Sequence, residues 1–189
     1  MKYCKFYIPV LFTTIAVIAD AQTPVIDSLK LNIRQAKGDS KKLLLIFELS
    51  EQSISSDSLL PFVLMAEKIA VASRNKQHAD IAAYCRASYY TRKNATDSAM
   101  MIVDKLVTDY KSNREQQALY LKFLFSKAKV LDRSNQYTKA LAQLVEVLEF
   151  AEKLKDTLVQ IQSKTGIAWV QMEMEQYKEA LQWLHKAMN

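Results

Sequence analysis

Residues 135–141 read NQYTKAL, and forty residues later residues 175–181 read EQYKEAL. Alignment on the alanine the two phrases share, Ala140 and Ala180, extends backward in steps of forty-one and forty residues to Ala99 and Leu59. Four residues beyond these lie Val63, Val103, Leu144 and Leu184; seven beyond lie Ala66, Leu106, Val147 and Ala187. Twelve residues before them lie Phe47, Ala87, Ala128 and Ala168, and ten before lie Leu49, Tyr89, Val130 and Val170. All of these positions are apolar. Steps of four and seven mark one face of a helix, and the positions ten and twelve before belong to a second helix that precedes it. Each period is therefore a helix pair.

The pattern predicts first helices near 41–53, 76–92, 113–133 and 157–174, and second helices near 58–74, 95–110, 137–154 and 177–188. Polar stretches fall between them: SSDS (55–58), RKNATD (92–97), DRSNQ (132–136) and MEQ (174–176). Pro61 is expected in the first turn of its helix, where a missing N–H costs little. A leading helix is expected near 25–37, with Gly38 as its C-cap. One such pair cannot bury its apolar face alone, whereas stacked neighbours bury a continuous core. The expectation is an all-α chain: a right-handed α–α superhelix of about four helix pairs over 41–189, with a concave and a convex side.

Composition agrees. Hydrophobic residues make up 50% of the chain, and it holds only 2 Gly and 3 Pro, too few to punctuate many strands. The start is a separate segment. MKYCKFYIPVLFTTIAVIADAQT has a basic beginning (Lys2, Lys5), an apolar run from Ile8 to Ala19, and small residues at Ala19 and Ala21. This is the pattern of a secretory signal peptide over 1–21, cleaved after Ala21. The apolar run is short of the ~20 residues a spanning helix needs. The expected localisation is exported, periplasmic or extracytoplasmic, with 22–40 carrying the leading helix and its turn. Without Lys2, Lys5 and Asp20, the 26 basic and 20 acidic residues become 24 and 19, a net of +5. A charge this mild and dispersed does not mark a nucleic-acid surface. Cys4 leaves with the leader, so Cys85 has no partner for an internal disulfide.

The pattern A-x8-Y-x-x-A-L in AKVLDRSNQYTKAL (128–141) and AWVQMEMEQYKEAL (168–181) resembles the tetratricopeptide repeat (TPR). The last two units carry it most fully, through Tyr137 and Tyr177, Ala140 and Ala180, and Leu141 and Leu181. The earlier units depart from it, with Thr96 and Ser56 at the Tyr position, Leu59 for the Ala and Phe47 for the small residue. The resemblance covers about 40–189. The leader followed by AQTPVIDSLKLNIRQAKGDSKKLLLIFELSEQ is also similar to the opening of exported bacterial TPR proteins. In many of these the repeats form the sensory half of a transcription regulator or histidine kinase, which implies a chain that continues beyond Asn189.

Catalytic patterns are sparse. No Gly-rich phosphate loop, G-x-S-x-G or H-E-x-x-H occurs. His78 and Cys85 lie seven apart and, with Asp80, could outline a nucleophile–base pair or a metal site. The spacing matches no known motif, and a buried thiol beside a surface imidazole is the simpler reading. The expectation is a non-enzyme with no cofactor and no metal. What the resemblance implies instead is a binding groove lined by the first helix of each pair. Carried onto this chain, the groove positions give Tyr84, Ser88 and Arg92, then Phe125, Lys129 and Arg133 with Lys122 a turn before, and Trp169. Aromatic rings beside cations suit a protein or peptide partner with an apolar anchor and an acidic segment. The alternative is a structural module that self-associates through apolar Leu181, Leu184 and Met188 on its last helix.

Overall fold

The computed structural model describes residues 24–52 and 54–188. The leader and its cleavage point lie outside them. Among the described residues every regular element is helical: α1 (24–35), α2 (Asp39–Glu51), α3 (Ser56–Ser73), α4 (Lys76–Arg92) and α5 (Thr96–Tyr110) come first. A short 3-10 turn (Arg114–Gln116) then leads into α6 (Gln117–Arg133), α7 (Tyr137–Leu154), α8 (Thr157–Glu173) and α9 (Tyr177–Met188). None of these helices is long and apolar enough to cross a membrane. The chain divides into two compact units, one ending at Cys85 and the other beginning at Arg86, so α4 runs through the boundary.

In the first unit α2 packs on α3, and Leu43, Ile46 and Leu49 of α2 are fully buried, as are Leu59, Val63 and Ala66 of α3. Removing one such side chain from water contributes about 1.5–3 kcal/mol for the larger ones. Phe47 of α2 meets Tyr84 of α4, with ring centroids 4.7 Å apart. Ser55 caps α3 by accepting from the Ser58 N–H at 3.3 Å.

In the second unit α5 through α9 pack each on the next along the chain. Ala87, Ala99, Val103 and Val130 form one buried cluster, with Tyr90, Met100, Ile102 and Val107 against it. The repeated alanines Ala99, Ala140 and Ala180 are all buried, as are Ala128 and Ala168. Small side chains at these crossings let helix backbones approach closely. The first-to-second-helix turns are built alike. Asn94, Asn135 and Glu175 each take a left-handed conformation (φ 58°, 58° and 61°). Each donates its N–H to the carbonyl three residues back (Thr91, Asp132, Met172), and the next residue donates to the carbonyl five back (Tyr90, Leu131, Gln171). This paired bonding satisfies the loose carbonyls of a helix end. The repeated phrase thus opens on a helix-stopping residue and carries a packing alanine five residues later.

Three local expectations are corrected. Gly38, with φ 94°, is the N-cap residue of α2, and α1 has already ended at residue 35. Because Ser55 starts α3 at Ser56, Pro61 is its sixth residue, past the turn whose N–H groups are free in any helix. The helix therefore loses one internal hydrogen bond there, on an exposed face. Finally, α6 begins at Gln117, because Asn113 accepts the Glu115 N–H at 3.1 Å and tightens the entry into a 3-10 turn.

Candidate functional site

The neighbouring first-type helices α6 and α8 bring their matching positions together. Phe125, Ala128, Lys129 and Asp132 of α6, and Thr165, Gly166, Trp169 and Val170 of α8, line a pocket of about 290 Å³ with Leu144 of α7. Phe125 and Thr165 are forty residues apart, as are Lys129 and Trp169, so the pocket repeats the register of the sequence. Phe125, Ala128, Leu144 and Val170 are buried in the chain and form its apolar wall. Trp169 is 53% exposed and stands at the rim. The Lys129 ammonium lies 4.6 Å from the centre of the Phe125 ring, a cation over an aromatic face.

Gly166 sits mid-helix. A Cβ there would come within 3.1 Å of Leu144 Cδ2, so the missing side chain lets α8 close on α7 at the pocket. Asp132 is the one lining carboxylate. Burial pushes its carboxyl above the usual Asp range; the Arg133 charge pulls it back, and Glu173 adds to the rise. Lys122, Lys129 and Arg133 follow the same face of α6 at steps of seven and four. Arg133 is exposed, and Lys122 and Lys129 are half-buried.

Of the residues expected from the sequence, Phe125, Lys129 and Trp169 share this pocket, and Lys122 and Arg133 lie on the same helix. Ser88 is buried, and its carbonyl accepts from Arg92 Nη1 at 2.8 Å, so that bond of the guanidinium turns back on its own helix. Tyr84 does not line a groove. It is 1% exposed, packed on Phe47, and its hydroxyl donates to the Glu51 carboxylate. The cause is Phe47, which stands where later repeats hold Ala87, Ala128 and Ala168; its ring occupies the space a small residue would leave and covers Tyr84. Cys85 is fully buried. The His78 ring lies 3.1 Å from Ser40 Oγ through Nε2 and 2.9 Å from Ser73 Oγ through Nδ1. Asp80 pairs with Lys76 at 2.8 Å.

Gly166 was not singled out in advance, and Leu144 and Ala128 were read only as packing positions of the repeat. A signal existed for Gly166: it is one of only 2 glycines, set inside a predicted helix, where Gly costs about 1 kcal/mol against Ala and implies a packing demand.

The fold matches solved structures. Bacillus thuringiensis PlcR, in complex with the peptide PapR7 and DNA, aligns over 99% of this chain and 71% of its own with a TM-score of 0.67 at 11% identity. A Podosopora anserina kinesin light chain with nearly identical TPR-like repeats aligns over 94% of this chain and 88% of its own (TM-score 0.56, 13% identity). The fold is that of a TPR-like helical repeat. No family model matches the sequence, and no curated protein matches it. The TPR-like fold therefore rests on structural likeness at low identity together with the forty-residue period. In such a fold the pocket lies between the first helices of two consecutive repeats.

Proposed function

We infer that this chain is a non-catalytic, protein- or peptide-binding helical-repeat scaffold. It acts on the exported side of a bacterial membrane, as the sensory or assembly part of a signalling or transcription-regulatory protein. The observation that carries the binding role is the α6–α8 pocket, where a half-exposed indole and a basic side chain stand over an apolar lining. Exposed apolar surface with convergent polar groups is what a recognition site presents. That PlcR, which has a similar fold, was captured in complex with a peptide supports a peptide as partner. The exported location rests on the leader sequence of residues 1–21. The non-catalytic reading is supported by the burial of Cys85 and by the serine contacts of His78.

A photo-crosslinking side chain placed at Thr165, on the pocket, tests the binding role against one placed at Val71, 79% exposed on α3. Cells are expected to yield a discrete adduct from position 165 and none from 71. Equal labelling at the two would remove the scaffold reading. Amino-terminal sequencing of the mature protein is expected to begin at Gln22; recovery of Met1 would remove the cleaved leader. A second reading, self-association, is favoured by the exposure of Leu181, Leu184 and Met188 on α9.

A further inference from the structure

We propose that a second cavity, at the entry of α6, takes one uncharged sugar ring. It holds about 370 Å³ and is lined by Lys111, Ser112 and Asn113 of the α5–α6 link, Gln117 and Tyr120 of α6, and Phe150 of α7. It lies within the second unit and shares no lining residue with the α6–α8 pocket. The inference goes beyond the scaffold reading and does not depend on it. Tyr120 is its main ground. This residue is only 8% exposed, yet its hydroxyl has no hydrogen-bond partner among the described residues. A buried phenol normally bonds to a neighbour, and here the side it leaves open is the cavity. Burial, with the Glu146 charge adding to it, raises the Tyr120 pKa, so the phenol keeps its proton as a donor at neutral pH.

Phe150 is half-buried and meets Tyr120 edge to face, with ring centroids 5.4 Å apart and planes at 90°. An aromatic face is negative and attracts weakly positive C–H groups, which a sugar ring presents on its flat sides. The ring's rim is a belt of hydroxyls, and the remaining lining suits such a belt. Ser112 both donates and accepts, and the Gln117 amide offers a carbonyl and two N–H donors. Asn113 Oδ1 already accepts the Glu115 N–H at 3.1 Å, which leaves its own N–H groups for a guest. No lining residue is a carboxylate, and only Lys111, exposed at the mouth, is charged. One solvated ammonium holds an anion weakly, so neutral donors and acceptors dominate recognition. The volume is near the lower end of the ~300–1,000 Å³ of small-molecule pockets, which limits the guest to a single ring.

Saturation-transfer NMR on the full chain tests this, with glucose, galactose, mannose and N-acetylglucosamine as separate probes and glucuronate as the charged counterpart. At least one neutral sugar is expected to bind, with an affinity little changed by salt. Tyr120→Phe keeps the ring and removes only the hydroxyl; it is expected to weaken that sugar about fivefold. Phe150→Ala is expected to weaken it about tenfold. Circular dichroism checks both folds, and the conservative Tyr120→Phe carries the test if Phe150→Ala does not fold. Lys111→Gln, which removes the charge and keeps a donor, is expected to bind as wild type does. Trp169→Ala, in the other pocket, is expected to bind equally well. If none of the four neutral sugars binds, or Tyr120→Phe binds as tightly as wild type, the proposal is overturned. Loss of binding in Trp169→Ala would assign the sugar to the α6–α8 pocket and overturn it too. A preference for glucuronate that Lys111→Gln abolishes would overturn the uncharged guest. None of these outcomes touches the peptide-binding reading, which the crosslink at Thr165 tests separately.

Discussion

Asp132 shows how a single residue can record a conflict between binding and stability. Its carboxyl sits partly inside an apolar pocket, and burial raises its pKa above the ordinary Asp value. A folded-state pKa above the unfolded one means the folded chain holds the proton more tightly. The resulting penalty is present above the folded pKa and disappears as pH falls below the unfolded one. Asp132→Asn, which keeps shape and removes the charge, is therefore expected to raise the melting temperature at neutral pH. At about pH 3, below the usual carboxylate range, variant and wild type are expected to melt together. Thermal unfolding by circular dichroism at the two pH values is the check; an unchanged neutral melting point would show that the carboxyl is not strained. Residue-level reading from sequence had uneven success for physical reasons. Phe125, Lys129 and Trp169 could be placed together because the groove positions that the resemblance implies fall on them at the forty-residue period. Tyr84 could not, since its fate depends on the size of Phe47, which reaches it from another helix. Leu144 and Gly166 meet only once α7 packs on α8, and the apolar pattern of one helix carries no trace of that contact.

Helix by helix, the elements follow the forty-residue pattern closely because their ends are written in local chemistry. The left-handed stop at Asn94 and Asn135 recurs at Glu175, in each case the residue after which the chain reverses into its partner helix. Asn tolerates that conformation better than most residues, whereas Glu pays for a Cβ crowded against the following carbonyl, about 1–2 kcal/mol for an ordinary L-residue. Glu175→Gly is accordingly expected to stabilise the fold by about 1 kcal/mol, read as a higher urea midpoint with an unchanged slope. The same glycine at Gln182, exposed within α9, is expected to cost about 1 kcal/mol. Two variants shifting the midpoint the same way would mean that φ at 175 is not what limits the turn. Helix cores and reversals were legible because spacing and turn residues are local. The start of α6 was not, since Asn113 draws the chain into a 3-10 turn that no apolar period marks. Gly38 was misassigned because the sequence does not show that α1 stops at residue 35, which leaves the glycine to begin α2.

Over the whole molecule, the period is the guide to surfaces, because a position buried in one repeat reports what its counterpart wants in the next. Leu144 and Leu148 are 4% and 7% exposed, whereas their equivalents forty residues on, Leu184 and Met188, are 36% and 74% exposed. Leu121 is fully buried, whereas Ile161 is 43% exposed. The faces of α8 and α9 thus carry side chains of the type that the preceding pair covers, without that cover. Apolar side chains at successive turns of one helix form a stripe that a second apolar surface can remove from water, a gain that grows with area and is little affected by salt. The self-association reading predicts that the wild-type chain dimerises with rising concentration in sedimentation equilibrium, with an association constant that holds when salt is raised. Leu184→Glu places a charge in the middle of the stripe and is expected to hold the chain monomeric. Lys129→Glu, on the α6–α8 pocket, is expected to leave the dimer intact, which separates association through α9 from peptide capture. A wild-type chain that stays monomeric at every concentration, or a Leu184→Glu variant that dimerises as well as wild type, would confine this protein's interactions to the pocket side.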